Sequence, residues 1–246
     1  FSNKIYNLVL LFSIYQAPSE NSGTRYRSLT CRWRRAARRH TLFAIAMTPI
    51  RYHAASTIDT ALALIGAHGA RPIAGGTDLL VAMEAGLDHS SSLVGIAATA
   101  ELSGVTELAD GVIRIGAATR LEDIAAHPVV RSRFLALALA AGSVGTPALR
   151  AMGTVGGNLC QRPRCWYLRS RIPCLKNGGS GCPAKTGENQ YHAIFGEGPC
   201  HAAHPSDAAV ALSALDATVL IRGPSGTRTA TIDEFYATAA SSPDSE

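Results

Sequence analysis

The sequence contains few aromatic residues and little charge: aromatic side chains make up 6% of the 246 residues and charged side chains 17%. It also lacks a long apolar run, because the best candidate, residues 6–15, is far shorter than the roughly 20 apolar residues of a membrane helix. Hydrophobic residues still make up 47% of the chain, which is enough for one domain or two small ones with a buried core. The composition therefore excludes a disordered chain and predicts no membrane span.

The positive net charge of +5 is confined to one end of the chain. Residues 1–46 contain eight Lys and Arg and one Glu, a net charge of +7, whereas residues 47–246 contain 15 basic and 17 acidic residues, a net charge of −2. A nucleic-acid-binding protein is expected to carry its basic patch on the folded body, so we predict no nucleic-acid partner. We expect residues 1–46 to form a disordered or non-native tail. We favour sequence upstream of a natural start at Met47 over an Arg-rich targeting peptide.

Several motifs of common catalytic and binding sites are also absent. No Ser/His/Asp or paired-carboxylate constellation supports hydrolysis. The GxGxxG of Rossmann dinucleotide-binding folds does not occur, and the cysteines form no CxxC pair of the kind that zinc sites usually contain. The candidate functional residues therefore lie in two other patterns, a pair of glycine turns and a cysteine-rich segment.

From Met47 onward, helical and extended patterns alternate. For example, an N-cap at Ser56 or Thr57 begins a helical pattern that ends at Gly69, and a short extended segment follows. Helices packed on mixed sheets are the expected architecture, which is the α+β class. We divide the chain into a first subdomain at 47–100, a second at 101–237 with a cysteine-rich loop at 160–205, and a disordered C-terminus at 238–246.

Two glycine turns form the first candidate site. They are Ala74-Gly75-Gly76-Thr77-Asp78-Leu79, after a predicted strand, and Thr154-Val155-Gly156-Gly157-Asn158, about eighty residues later. Paired glycines let a backbone approach a ligand, and N–H groups there would hold a pyrophosphate, but an ordinary turn also uses glycine for its dihedral angles. Asp207 lies in the first turn of a predicted helix. It is either a helix cap or a ligand for ribose or ribityl hydroxyls, and for this residue taken by itself we favour the cap.

A cysteine-rich stretch is the second candidate site. Five cysteines fall in the irregular segment 160–205, and a segment of this length inside a domain is normally functional or disordered. Their odd number fits a disulfide framework poorly. An iron–sulfur cluster needs four thiolates and accepts wide spacing, so spacing alone leaves a cluster, a zinc site and no metal open.

Four segments, in order, resemble the FAD-binding subunit of the molybdenum hydroxylases, the family of xanthine dehydrogenase and aldehyde oxidase. They are Arg71-Pro-Ile-Ala-Gly-Gly-Thr-Asp-Leu-Leu80, Ile115-Gly-Ala-Ala-Thr-Arg-Leu-Glu-Asp-Ile124, Gly153-Thr-Val-Gly-Gly-Asn-Leu159 and His204-Pro-Ser-Asp207. The resemblance covers residues 47–237. It implies a two-subdomain FAD-binding fold of the molybdopterin dehydrogenase type (PCMH-like) without the family's usual C-terminal α/β domain, since the chain stops at Glu246.

The resemblance also implies two cofactors. The first is FAD, contacted by the two glycine turns and by Asp207. The second follows from the segment Cys160-Gln-Arg-Pro-Arg-Cys-Trp-Tyr-Leu-Arg169, which is similar to an insertion that carries an extra 4Fe-4S cluster in a subgroup that includes periplasmic aldehyde oxidoreductases. The expected cluster ligands are Cys165, Cys174, Cys182 and Cys200, with Cys160 as the spare thiol. The loop residues Arg162, Arg164, Arg169 and Arg171 are expected to be solvated or to offset the charge of the cluster.

The resemblance also implies a function for the chain. The chain would be an FAD-dependent oxidoreductase subunit that passes electrons from iron–sulfur centres to an acceptor during aldehyde or N-heterocycle oxidation. Its expected partners are a molybdenum-cofactor large subunit and a 2Fe-2S small subunit. We expect a cytoplasmic location, with the periplasm as the alternative. The competing class is a truncated scaffold without turnover, or a zinc-binding interaction module.

Overall fold

The computed structural model describes residues 10–14, 49–108, 111–195, 198–223 and 225–241. Within these ranges the strands are β1 (Leu10–Ile14), β2 (Arg51–Ala54), β3 (Arg71–Ile73), β4 (Ser92–Gly95), β5 (Val105–Glu107), β6 (Ile113–Gly116), β7 (Thr218–Gly223) and β8 (Gly226–Thr231). The helices are α1 (Ile58–His68), α2 (Leu79–Glu84), α3 (Leu121–Ala126), α4 (Pro128–Arg133), α5 (Leu135–Ser143), α6 (Pro147–Met152), α7 (Val155–Leu159), α8 (Trp166–Arg169), α9 (Asp207–Ala214) and α10 (Ile232–Ser241). No helix in the described ranges has the length and apolar character needed to cross a membrane.

The first sheet is parallel, with the strand order β2-β4-β3. Helix α1 connects β2 to β3, and its predicted ends are present: Thr57 accepts a hydrogen bond from the Thr60 N–H, and Gly69 has a left-handed φ of 56°. Since the carboxyl ends of parallel strands lie at one edge, the turn that follows β3 opens at the same edge as the turns after β2 and β4. This edge presents the first glycine turn.

The second sheet is antiparallel, with the strand order β5-β6-β1-β7-β8. Alternate residues of its strands, such as Ile113 and Ile115, are fully buried against a layer that contains α3, α5 and α9. Phe134 and Leu137 fill the centre of that layer. Two sheets with packed helices confirm the predicted α+β class. The strands of the first sheet all precede residue 100, whereas the second sheet combines β5 to β8, which follow it, with β1 from the N-terminal segment.

The structure corrects the expectation for the tail at one place. Leu10–Ile14, within the 1–46 segment that was expected to stand outside the fold, pairs with both β6 and β7. The reason is that a short apolar segment can satisfy two open strand edges at once, even without a longer periodic pattern around it. The remainder of residues 1–48 lies outside the described residues, as do residues 242–246. Residues 238–241, predicted to belong to a disordered C-terminus, form the end of α10 instead.

Other differences concern the helices. The apolar pattern from Pro128 to Ala141 predicts a single helix, but the structure divides it at the buried Phe134, whose φ of −129° and ψ of 50° are not helical. The second glycine turn is the short helix α7. The stretch 160–205 is largely irregular, as expected, but it contains α8 and a 3-10 helix at Pro183–Lys185.

The packing of α5 predicts a contrast between two leucines that lie two positions apart. Leu137 is fully buried and Leu139 is 64% exposed. We expect Leu137→Ala to lower the free energy of unfolding by about 2–5 kcal/mol, because it removes buried methyl groups and leaves a cavity. Leu139→Ala should change it by no more than about 0.5 kcal/mol. Urea unfolding of both variants measures the difference, and equal losses would show that this layer is packed otherwise.

Candidate functional site

The two glycine turns meet through one backbone contact. A Cβ atom at Gly75 would overlap the carbonyl oxygen of Met152 and would also lie 3.2 Å from the Cα atom of Gly153. Gly153 precedes the second turn, and its own Cβ position would lie 3.4 Å from Thr77 Oγ1. The structure therefore brings together two segments that are about eighty residues apart in sequence, and Gly75 is required for this approach.

The first turn offers unused hydrogen-bond donors. In the described part of the chain, the backbone N–H groups of Gly75, Gly76 and Thr77 donate to no protein acceptor. Gly76 has a left-handed φ of 69°, which a residue with a side chain rarely adopts, and Thr77 is exposed. Three consecutive N–H groups at an exposed turn have the chemistry of an anion site.

The second turn uses most of its donors within the fold. Val155 and Gly156 donate to the carbonyl oxygens of Thr119 and Ala117 over 3.0 and 2.9 Å, and the Gly157 N–H donates to the Thr154 hydroxyl, which caps α7. These residues are buried except for Gly157. The Asn158 N–H likewise donates to the Thr154 carbonyl oxygen, so Gly157 is the exposed residue of a turn whose donors have acceptors within the fold.

The third motif is connected to the second by buried hydrogen bonds. The Ser206 hydroxyl donates to Asn158 Oδ1 over 2.6 Å, so the side chain of this predicted ligand already forms one hydrogen bond within the fold. Gln161, which sequence reasoning missed, donates to the carbonyl oxygens of Asn158 and Pro205. Ser206, not Asp207, caps α9 by accepting the Ala209 N–H. Asp207 is exposed, and no described residue forms a hydrogen bond with its carboxylate.

Asp78, the last polar residue of the first turn, binds the cysteine-rich loop. One carboxylate oxygen accepts the Arg162 N–H over 2.8 Å and the other accepts a guanidinium N–H of Arg169 over 3.0 Å. Arg169 also donates to the carbonyl oxygens of Pro163 and Arg162. The expectation that these arginines are solvated is therefore wrong for Arg162 and Arg169, because both are held by groups around the glycine turn.

The charges beside this contact reinforce it. Arg162 reaches the carbonyl oxygen of Leu87 in the segment after α2, next to the buried Asp88. Burial alone would raise the pKa of Asp88, but hydrogen bonds from Ser90 and the charges of Arg71 and Arg162 lower it. Asp88 thus stays ionised and strengthens the docking of the loop on the first subdomain.

Four thiols of the loop converge on one narrow cavity. Cys165, Cys174, Cys182 and Cys200 line a space of about 20 Å³, which is room for about one water molecule. The spare thiol expected from sequence, Cys160, is exposed and lies outside this cavity. In the ranges that the structure describes, no three His, Cys, Asp or Glu side chains are arranged to hold a single metal ion.

The surroundings of the thiols are aromatic and partly buried. His192 Nε2 forms a hydrogen bond with Cys165 Sγ over 3.1 Å, and its ring packs edge-on against Trp166. Burial raises the pKa of the Cys200 thiol, and the neighbouring Cys182 and Cys165 raise it further. The contact between His192 and Cys165 could not be predicted from the sequence, because 27 residues separate them.

A cavity of about 400 Å³ lies elsewhere, between the start of α1, the segment 100–104 and strands of the second sheet. Two arginines line it, Arg114 and Arg222, and Arg222 forms an ion pair with Asp59 over 2.6 Å. Glu101 also lines the cavity, and its carboxylate accepts the Ile58 N–H. None of the predicted cofactor residues lines it. In the two glycine turns, the exposed residues are Thr77 and Gly157.

Comparison with known proteins identifies the family. A family model for the FAD binding domain in molybdopterin dehydrogenase matches residues 47–244. The chain is 40% identical over 184 residues to the aldehyde oxidoreductase FAD-binding subunit PaoB of Escherichia coli, an alignment that covers 72% of this chain and 57% of that subunit. It is 36% identical over 110 residues to the carbon monoxide dehydrogenase medium chain of Hydrogenophaga pseudoflava, which covers 44% of this chain and 38% of that one.

A solved structure shares the fold. It is carbon monoxide dehydrogenase from Hydrogenophaga pseudoflava lacking the Mo-pyranopterin moiety of its cofactor, with a TM-score of 0.55 and 26% identity, covering 76% of this chain and 52% of that one. This chain therefore spans 57% or less of the length of these relatives. The family match includes both glycine turns, the cysteine-rich loop and Asp207, and the chain belongs to the family of FAD-binding domains of molybdopterin dehydrogenases.

Proposed function

We propose that this chain is the flavoprotein electron-transfer subunit of a molybdenum hydroxylase that oxidises an aldehyde or an N-heterocycle. The observation that carries the proposal is the first glycine turn: three consecutive N–H groups without a protein acceptor, held against the segment that precedes the second turn. Membership of the FAD-binding family supplies the ligand class for this surface.

The proposed FAD contacts divide by chemistry. The N–H groups of Gly75, Gly76 and Thr77, with the exposed Thr77 hydroxyl, would bind the pyrophosphate. The exposed face at Gly157 allows the ligand to approach the backbone, and the Asp207 carboxylate would accept hydrogen bonds from ribityl or ribose hydroxyls. The remaining predicted residues of the second turn act by building α7. Bound FAD would supply the redox chemistry, while the chain fixes its position.

We also propose a 4Fe-4S cluster on the thiols that surround the narrow cavity. The donor set fits such a cluster, because Cys165, Cys174, Cys182 and Cys200 face one space and no carboxylate lines it. The cavity is narrow, and the loop around it is largely irregular. The hydrogen bond between His192 and Cys165 would then lie beside a ligand sulfur, where such bonds tune a cluster's reduction potential.

The partners and the compartment follow from the family. Relatives of this chain have names such as FAD-binding subunit and medium chain, which describe one component of a larger enzyme. We propose a molybdenum-cofactor large subunit and a 2Fe-2S small subunit as partners. A reducing cytoplasm suits free thiols and is the proposed location, with the periplasm as the alternative.

Gly157→Ala tests the proposed FAD surface. The new Cβ would lie 3.2 Å from Thr154 Oγ1, a close contact that a small shift of this side chain relieves, and no other atom lies within 4 Å, so the fold should tolerate it. We expect FAD binding to weaken by about tenfold or more, a loss of at least about 1.4 kcal/mol, because a methyl group occupies the ligand's approach. Titration of the full chain by flavin fluorescence measures this affinity.

The matched control is Gly66→Ala, a helical glycine with nothing within 4 Å of its Cβ position. It should leave FAD affinity unchanged and raise the free energy of unfolding by about 0.5–1 kcal/mol. If both variants bind FAD as tightly as the wild-type chain, the proposed position of the flavin is wrong.

Cys182→Ser tests the proposed cluster, with Cys160→Ser as its control. The wild-type chain, purified without oxygen, should contain about four irons and four acid-labile sulfides. Cys182→Ser should lose most of both, whereas Cys160→Ser should keep them because Cys160 is outside the cavity. Stoichiometric zinc in the wild-type chain, or equal iron loss in the two variants, would contradict the assignment.

A further inference from the structure

We propose that Arg169 is a positioning residue for FAD: it docks the cysteine-rich loop on the first glycine turn and neutralises Asp78 beside the phosphate-binding N–H groups. The proposal rests on the proposed FAD site. It assigns to the loop a role in flavin binding that does not depend on the loop's own cofactor.

Asp78 binds the cysteine-rich loop instead of capping its own helix. Asp78 occupies the N-cap position of α2, where an Asp side chain normally accepts an N–H of the helix, yet it makes no capping hydrogen bond. Both of its oxygens are instead taken by residues 84 and 91 positions later in the chain. The side chains of Asp78 and Arg169 are only 20% and 21% exposed, so the pair is partly shielded from solvent.

The negative charge of Asp78 lies beside the proposed phosphate site. Asp78 directly follows Thr77, the last of the three N–H donors that would hold the pyrophosphate. An unpaired carboxylate at this place would repel the phosphates of FAD, and partial burial makes such repulsion stronger than in water. The Arg169 guanidinium cancels that charge at a distance of 3.0 Å.

A single short helix connects Arg169 to the thiol cavity. Arg169 is the last residue of α8, and this helix begins directly after Cys165. Within one helical turn, the loop therefore passes from a thiol of the narrow cavity to the residue that holds Asp78. Any change that displaces α8 would release Asp78 and Arg169 together.

The test measures FAD affinity and urea unfolding of the full chain in four forms: wild type, Arg169→Gln, the double variant Asp78→Asn with Arg169→Gln, and Lys185→Gln. We expect Arg169→Gln to weaken FAD binding about tenfold. The double variant should regain most of this loss, because it removes the uncompensated charge while the amide oxygen can still accept the Arg162 N–H. Lys185, an exposed loop residue, controls for the loss of one positive charge and should leave the affinity unchanged.

The outcomes separate this inference from the proposed function. If the wild-type chain binds FAD and Arg169→Gln binds it equally well, the inference fails and the flavin site stands. If Arg169→Gln loses FAD and the double variant does not recover it, Arg169 acts only as a structural contact and neutralisation is wrong. A wild-type chain that takes up no FAD would overturn the proposed function and this inference with it.

Discussion

The candidate site depends on the close approach between Gly75 and the carbonyl oxygen of Met152. No side chain fits at this contact, because even a single Cβ would overlap the oxygen. The contact joins the turn after β3 to the end of α6, and thereby joins the parallel sheet to the helical layer of the second sheet. This contact sets the position of the unused N–H groups of the first turn relative to the exposed face of α7.

Polar contacts then extend the site in two directions from this junction. Toward the C-terminus, Asn158, Ser206 and Gln161 form a buried network that places the start of α9, and with it Asp207. Toward the cysteine-rich loop, Asp78 binds Arg162 and Arg169. Buried or shielded polar groups need such partners, so these bonds constrain the geometry as well as stabilise it. The proposed flavin surface and the thiol cavity are therefore parts of one connected structure.

Local signals predicted local structure well. The cap at Thr57 and the left-handed Gly69 bound α1 as the sequence indicated, because both effects involve residues within one helical turn. The grouping of four cysteines around one cavity agrees with the set that the family resemblance implied, although metal binding itself stays a prediction.

Long-range contacts were not predictable in the same way. The paired glycines indicated close approach of a backbone, but not that Gly75 would meet Met152 while Gly156 would meet Ala117. The arginines of the loop looked like solvated charges, because nothing in the local sequence shows that Asp78 lies 91 residues away in the chain and 3.0 Å away in space. The short apolar segment at Leu10–Ile14 lacked any periodic signal, and only the open edges of β6 and β7 explain its place.

The most direct test of the account is one anaerobic absorption spectrum of the full chain after incubation with FAD and removal of unbound flavin, with flavin and iron counted in the same sample. The account predicts about one flavin per chain together with a broad iron–sulfur absorption and about four irons. A colourless chain that retains neither flavin nor iron would contradict it, and would leave the two glycine turns as elements of a scaffold.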